Sequence, residues 1–97
     1  MKTKLNTIAP RELNGSSYQG LAIMTTVNLL NDALGIEPSV WNNNSCEWWL
    51  QHGEYKFSLY CNSAINGDDV VWFRIGSINT LSAIEAKDII LHMLKTA

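Results

Sequence analysis

Gly53 constrains this chain more than any other residue. It separates Cys-Glu-Trp-Trp-Leu-Gln-His (46–52) from Tyr-Lys-Phe-Ser-Leu-Tyr-Cys (55–61), with only Glu54 beside it. Glycine in the first place of a two-residue loop is what a type II′ hairpin turn requires, because that residue takes positive φ. Counting outward sets His52 opposite Tyr55, Leu50 opposite Phe57, Trp48 opposite Leu59 and Cys46 opposite Cys61. With a side-chain period of two, these residues share one face, and Glu47, Trp49, Gln51, Lys56, Ser58 and Tyr60 share the other. One face is apolar and the other mostly polar, as in an antiparallel sheet packed on one side only.

Asn66-Gly67 is a second hairpin signal. A strict two-residue loop there would turn Val71, Phe73 and Ile75 toward the polar face, so an extra bulged residue is expected between Asn66 and Asp69. Val71, Phe73 and Ile75 then join the core, while Val70, Trp72 and Arg74 look outward. The outer face would carry Glu47, Tyr60 and Trp72 in one row and Trp49, Ser58 and Arg74 in the next. Aromatic rings with an arginine on an open face suggest a contact surface, since Trp, Tyr and Arg dominate interface hot spots. The alternative is that the N-terminal segment or the Asn42–Asn44 loop covers them.

Around these strands the chain reads as two helices. Met1 to Ile8 is a short extra edge strand or an arm, and Pro10 stops regular structure. Ser16 with Gln19 fits a capping box, with Ser17 the alternative cap. From Tyr18 to Leu34, Ile23, Val27, Leu30 and Leu34 follow helical spacing up to Gly35, the expected terminator. Ile36 to Ser45 is a connector in which Pro38 can open one helical turn, anchored by Val40 or Trp41. A last helix, capped by Thr80 or by Ser82 with Glu85, buries Ala83, Ala86, Ile90, Met93, Leu94 and Ala97. Glu85, Asp88, His92 and Lys95 line its wet side. The expected fold is a single α+β domain over residues 1–97. It is a two-layer sandwich of a three-stranded antiparallel sheet with two main helices on one face (α-β-β-β-α) and a possible extra N-terminal strand.

Composition narrows the function classes. With 46% hydrophobic and 16% charged residues, the 97-residue chain is globular and large enough to fold alone. A net charge of -2 argues against a phosphate-tracking nucleic-acid binder. No apolar run is long enough to span a bilayer, and Met1 to Lys4 lacks the apolar stretch of a signal peptide, so the cytoplasm is the expected compartment. Cys46 and Cys61 are then expected as buried thiols rather than a functional disulfide. His52 and His92 stand apart from both cysteines, so no catalytic site, metal site or cofactor is expected. Asp68-Asp69 beside Asn66-Gly67 lacks the periodic ligands and closing Glu of a calcium loop. Of the scattered carboxylates, Asp68, Asp69 and Glu54 are the first candidates for an acidic edge that could occupy Lys/Arg sites built for phosphate.

Two resemblances extend this reading. Ser82-Ala83-Ile84-Glu85-Ala86-Lys87 is similar to the Ser-Lys-Lys-Glu-Ala-Lys entry to the last helix of the double-stranded-RNA-binding domain. The resemblance covers residues 17–97 and implies helix-strand-strand-strand-helix architecture. Ala83 and Ile84 replace the two phosphate-gripping lysines, and Gln51-His52-Gly53-Glu54 replaces the Gly-Pro-His loop, which argues against carrying over RNA binding. Across all 97 residues, from Met1–Asn6 through Asn66–Arg74, the chain also resembles the small anti-CRISPR proteins of phages and mobile elements that inhibit the type I-F surveillance complex. That resemblance implies a non-enzymatic, monomeric inhibitor in the host cytoplasm. It would bind subunits of the CRISPR effector complex, without direct contact to nucleic acid or membrane, and block target DNA, with charge mimicry of DNA as one route.

Glu47, Glu54, Asp68, Asp69, Trp49, Tyr60, Trp72 and Arg74 are the expected partner-binding residues. The main alternative is a divergent nucleic-acid module stacking single strands on Trp49, Tyr60, Trp72 and Arg74. A small metabolic enzyme or a toxin–antitoxin partner is a third.

Overall fold

A computed structural model describes residues 5–63 and 66–96. Its centre is the hairpin set by Gly53: β4 (Cys46–His52) and β5 (Tyr55–Cys61) pair from Cys46–Cys61 down to His52–Tyr55, in the expected register. Gly53 has φ 58° and, among the described residues, no non-glycine residue has positive φ, which fits a II′ turn and not a I′ turn. β6 (Val71–Ser77) follows antiparallel to β5, pairing Leu59 with Ile75 and Tyr60 with Arg74.

The sheet is not three-stranded. It has six strands in the order β1-β4-β5-β6-β2, with β3 also on β4. β1 (Asn6–Thr7) and β3 (Val40–Trp41) pair with opposite ends of β4, while β2 (Ser17–Thr25) forms the far edge against β6. Met1 to Lys4, the start of the expected N-terminal strand, lie outside the described residues.

The largest departure from expectation is β2, which stands where the first half of a helix was expected. Only Val27–Leu34 is helical (α1). Tyr18 and Met24 are exposed while Ile23 and Thr25 are buried, and Gly20 sits at φ 84° in an irregular stretch between Tyr18 and Ala22. A helix through Gly20 would have cost about 1 kcal/mol there, and β-branched Thr25 and Thr26 favour extended backbone. Thr26, not Ser16 or Ser17, caps α1: its Oγ1 accepts from Leu29 N at 3.0 Å. Gly35 ends the helix in the left-handed conformation, as expected.

Two smaller expectations also fail. Pro38 starts no helical turn; Ser39 N donates to Glu47 O, and β3 follows. Trp41 is exposed rather than an anchor, and Ile36 takes that role, accepting from Trp48 Nε1 at 2.8 Å and packing on the core. The last helix, α2 (Thr80–Thr96), is capped by Asn79, whose Oδ1 accepts from Ser82 N at 2.8 Å, rather than by Thr80 or Ser82.

Both helices contribute to one core with the inner face of the sheet. Trp48, Leu50, Phe57, Leu59, Phe73 and Ile75 meet Val27, Leu30, Ala83, Ala86 and Ile90, and all of these are fully buried. Met93 and Leu94 pack partly against it, and Ala97 lies outside the described residues. The fold is therefore α+β, with two helices on a six-stranded antiparallel sheet in the order β-β-α-β-β-β-β-α, and not the expected α-β-β-β-α sandwich on three strands.

Candidate docking surface

Strand alternation sends Glu47, Trp49, Lys56, Ser58, Tyr60, Trp72 and Arg74 to the face away from the helices. Their rows differ from expectation. Glu47, Tyr60 and Arg74 align, and Trp49 and Ser58 align with Gly76. Trp72 lies two residues further out, paired with Met24. The cause is the connection after β5. β5 ends at Cys61 and β6 begins only at Val71, a longer connection than a bulged hairpin needs, although Asn66-Gly67 still turns the chain: Asp69 N donates to Asn66 O at 3.1 Å and Asp68 N to Asn66 Oδ1 at 3.1 Å.

Gly76 matters in this arrangement. A Cβ there would stand 2.7 Å from Ser58 Oγ and 3.3 Å from Tyr60 Cε1, so the missing side chain lets Tyr60 and Ser58 close over β6. Next to it, the Arg74 guanidinium lies 5.2 Å from the centre of the Tyr18 ring, a cation–π contact between neighbouring strands.

Half of this face is covered. To pass from β1 on one edge to β2 on the other, residues 8–16 cross it. Ile8 N donates to Trp49 O at 3.1 Å, the 3₁₀ turn Pro10–Leu13 packs on β5, and Glu12 pairs with Lys56 at 3.4 Å. Ala9 N donates to Glu12, and this bond, followed by Lys56, holds the Glu12 carboxyl below its usual range. Trp49 is thereby half-buried, and its indole N–H donates to Glu47 Oε1 at 3.1 Å. The N-terminal segment thus covers Trp49 and leaves Trp72.

The other half is open. Trp72 is 56% exposed, Met24 55% and Tyr18 46%, and Tyr60 is half-buried. Three clefts of about 450, 390 and 270 Å³ run across it, the first two sharing Trp72 and Arg74 and the third bounded by Tyr60 and Glu47. Tyr18, Met24 and Lys87 belong to this surface and were not foreseen. The period-two run Tyr18, Gly20, Ala22, Met24 was the signal that could have placed the first two.

The acidic candidates divide. Glu54 sits in the β4–β5 turn, whereas Asp68 and Asp69 lie beyond the opposite end of β5, about 20 Å away along the strand. They form no common edge. Asp68 also accepts from Asn28 Nδ2 at 2.7 Å, tying the loop to α1.

The chemistry-bearing residues remain apart as well. Cys46 and Cys61 are buried, unbridged neighbours, and burial, followed by Cys61 and Glu47, pushes the Cys46 thiol up to about 12. His52 is at the other end of β4, and His92 lies exposed on α2. Among the described residues no three His, Cys, Asp or Glu side chains group as metal ligands, and no helix is long and apolar enough to cross a membrane. Compared with protein-family models, curated proteins and solved structures, the chain has no significant match in any of the three.

Proposed function

We propose that this chain is a non-enzymatic binding protein whose open half-face docks on another protein. Its resemblance to type I-F CRISPR inhibitors gives the partner class: a surveillance complex whose access to target DNA it blocks. The observation that carries this reading is the contrast on one sheet face, where the N-terminal crossing runs over the Trp49 end, Tyr60 is half-buried like Trp49, and Tyr18, Trp72 and Arg74 stay exposed. Exposed rings beside an arginine are the side chains that make interface anchors when desolvated. Asp68 and Asp69 precede Trp72 in the same loop and strand, so they supply a charged rim for encounter with a basic surface. Glu54, at the far end, takes no part. Any charge mimicry is thus confined to the 66–70 tip, and steric occlusion by the aromatic face is the main route.

The test is co-purification from cells carrying a type I-F system, followed by target-DNA binding of the recovered complex. Recovery of effector subunits with reduced DNA binding is expected. A complex that neither captures the chain nor loses DNA binding in its excess would end this reading.

A further inference from the structure

One cleft on the open face gathers two cations, which docking on a basic surface does not explain. Tyr18, Gly20, Ala22, Trp72, Arg74 and Lys87 line about 450 Å³ beside the β2 edge. Two of these six residues are cations, in a chain of net charge -2. Arg74 enters from β6 and half-buried Lys87 from α2. Among the described residues neither has a carboxylate within ion-pair distance, the pair found there being Lys56–Glu12. The cation–π contact with Tyr18, 5.2 Å from Cζ to the ring centre, leaves the Arg74 guanidinium with N–H donors for a ligand. Gly20 and Ala22 add little bulk; a Cβ at Gly20 would meet nothing within 4 Å.

We propose that this cleft binds a nucleoside phosphate, with the base against exposed Trp72 and the phosphate held by Arg74 and Lys87. A lone carboxylate would use the cations and leave the rings bare, and an aliphatic side chain would do the reverse. A flat ring carrying phosphate uses both. The volume lies within the roughly 300–1,000 Å³ of small-molecule sites. The unit can come from a free nucleotide or from a single strand, and the chemistry is shared. This site needs no second protein, so it stands or falls separately from the docking reading.

The test titrates the isolated protein with AMP, a short oligodeoxyadenylate and inorganic phosphate, read by tryptophan fluorescence and calorimetry. Saturable, salt-sensitive binding of AMP is expected. Arg74→Gln and Lys87→Gln should each weaken it roughly tenfold, from loss of a charge-assisted contact, and Trp72→Ala similarly, from loss of stacking. All three side chains are exposed or half-buried, so the variants keep the fold, and Trp41→Phe, away from the cleft, is the control. Binding of the oligonucleotide but not AMP, with the same dependence on the three residues, would support the site with a strand as the source. Binding unchanged in the three variants, phosphate binding as tightly as AMP, or no binding of AMP or oligonucleotide would overturn the proposal.

Discussion

Trp49 and Trp72 point to the same side of one sheet and have different surroundings. Trp49 lies under the crossing of residues 8–16, its amide bonded to Ser39 Oγ at 3.1 Å and its ring N–H to Glu47. Trp72, on β6 beside the edge strand, is more than half exposed. The difference arises because the chain must travel from β1 to β2 across the outer face, and its path lies over β4 and β5 near Lys56. A residue's direction from the sheet follows from strand period. Whether it is open depends on where other segments run.

The predictions sharpen this contrast, starting with the largest effect. Trp48 is the helix-facing reference, fully buried, edge-on to Phe73 with ring centres 5.9 Å apart and bonded to Ile36 O. Trp48→Ala should destabilise the protein by about 3–5 kcal/mol in denaturant unfolding. A loss under about 1 kcal/mol would mean the inner face is loosely packed.

The next effect is on pH dependence. The Cys46 thiol has a folded pKa of about 12 against an ordinary 9.0. Because the folded value is the higher one, its contribution is fully present below pH 9 and is lost as pH rises toward 12. Cys46→Ala should therefore show a flatter alkaline decline in stability than the natural chain, even if less stable overall. Parallel alkaline curves would contradict the burial of this thiol.

Gly76→Ala probes the seam between the covered and open halves. The added methyl meets Ser58 Oγ and Tyr60, so a loss of about 1–3 kcal/mol is expected from overpacking. A neutral result would show that Tyr60 can move away from β6. At the small end, Trp72→Ala should change stability by no more than about 0.5 kcal/mol, as for an exposed site. A larger cost would show that Trp72 supports the fold rather than a contact.

Much of the sheet was legible in the residues. Gly53 fixed the β4–β5 register, and the position of Phe73 and Ile75 in the core followed from hydrophobic alternation even though the preceding loop is longer than a hairpin. The β2 strand was hidden because Ile23, Val27, Leu30 and Leu34, all buried, keep helical spacing across a strand–helix junction. Gly20 and the Thr25-Thr26 pair carried the opposing signal. β1 and β3 consist of two residues each, too short to show any period. At the site, Trp72 and Arg74 could be assigned outward from alternation. The N-terminal segment was one of two possible covers, but which ring it would lie over could not be assigned, because a non-repetitive crossing leaves no periodic trace.

The central claim is that the open half of the sheet, rather than the acidic turns, makes the contact. The most direct measurement compares the affinity of two variants for the purified type I-F complex: Tyr60→Ala/Trp72→Ala and Glu54→Lys/Asp68→Lys/Asp69→Lys. The aromatic pair should lose at least about thirtyfold in Kd, and the acidic triple should lose only a few-fold, mostly in association rate. Full binding by the aromatic variant, with loss confined to the acidic one, would contradict the account.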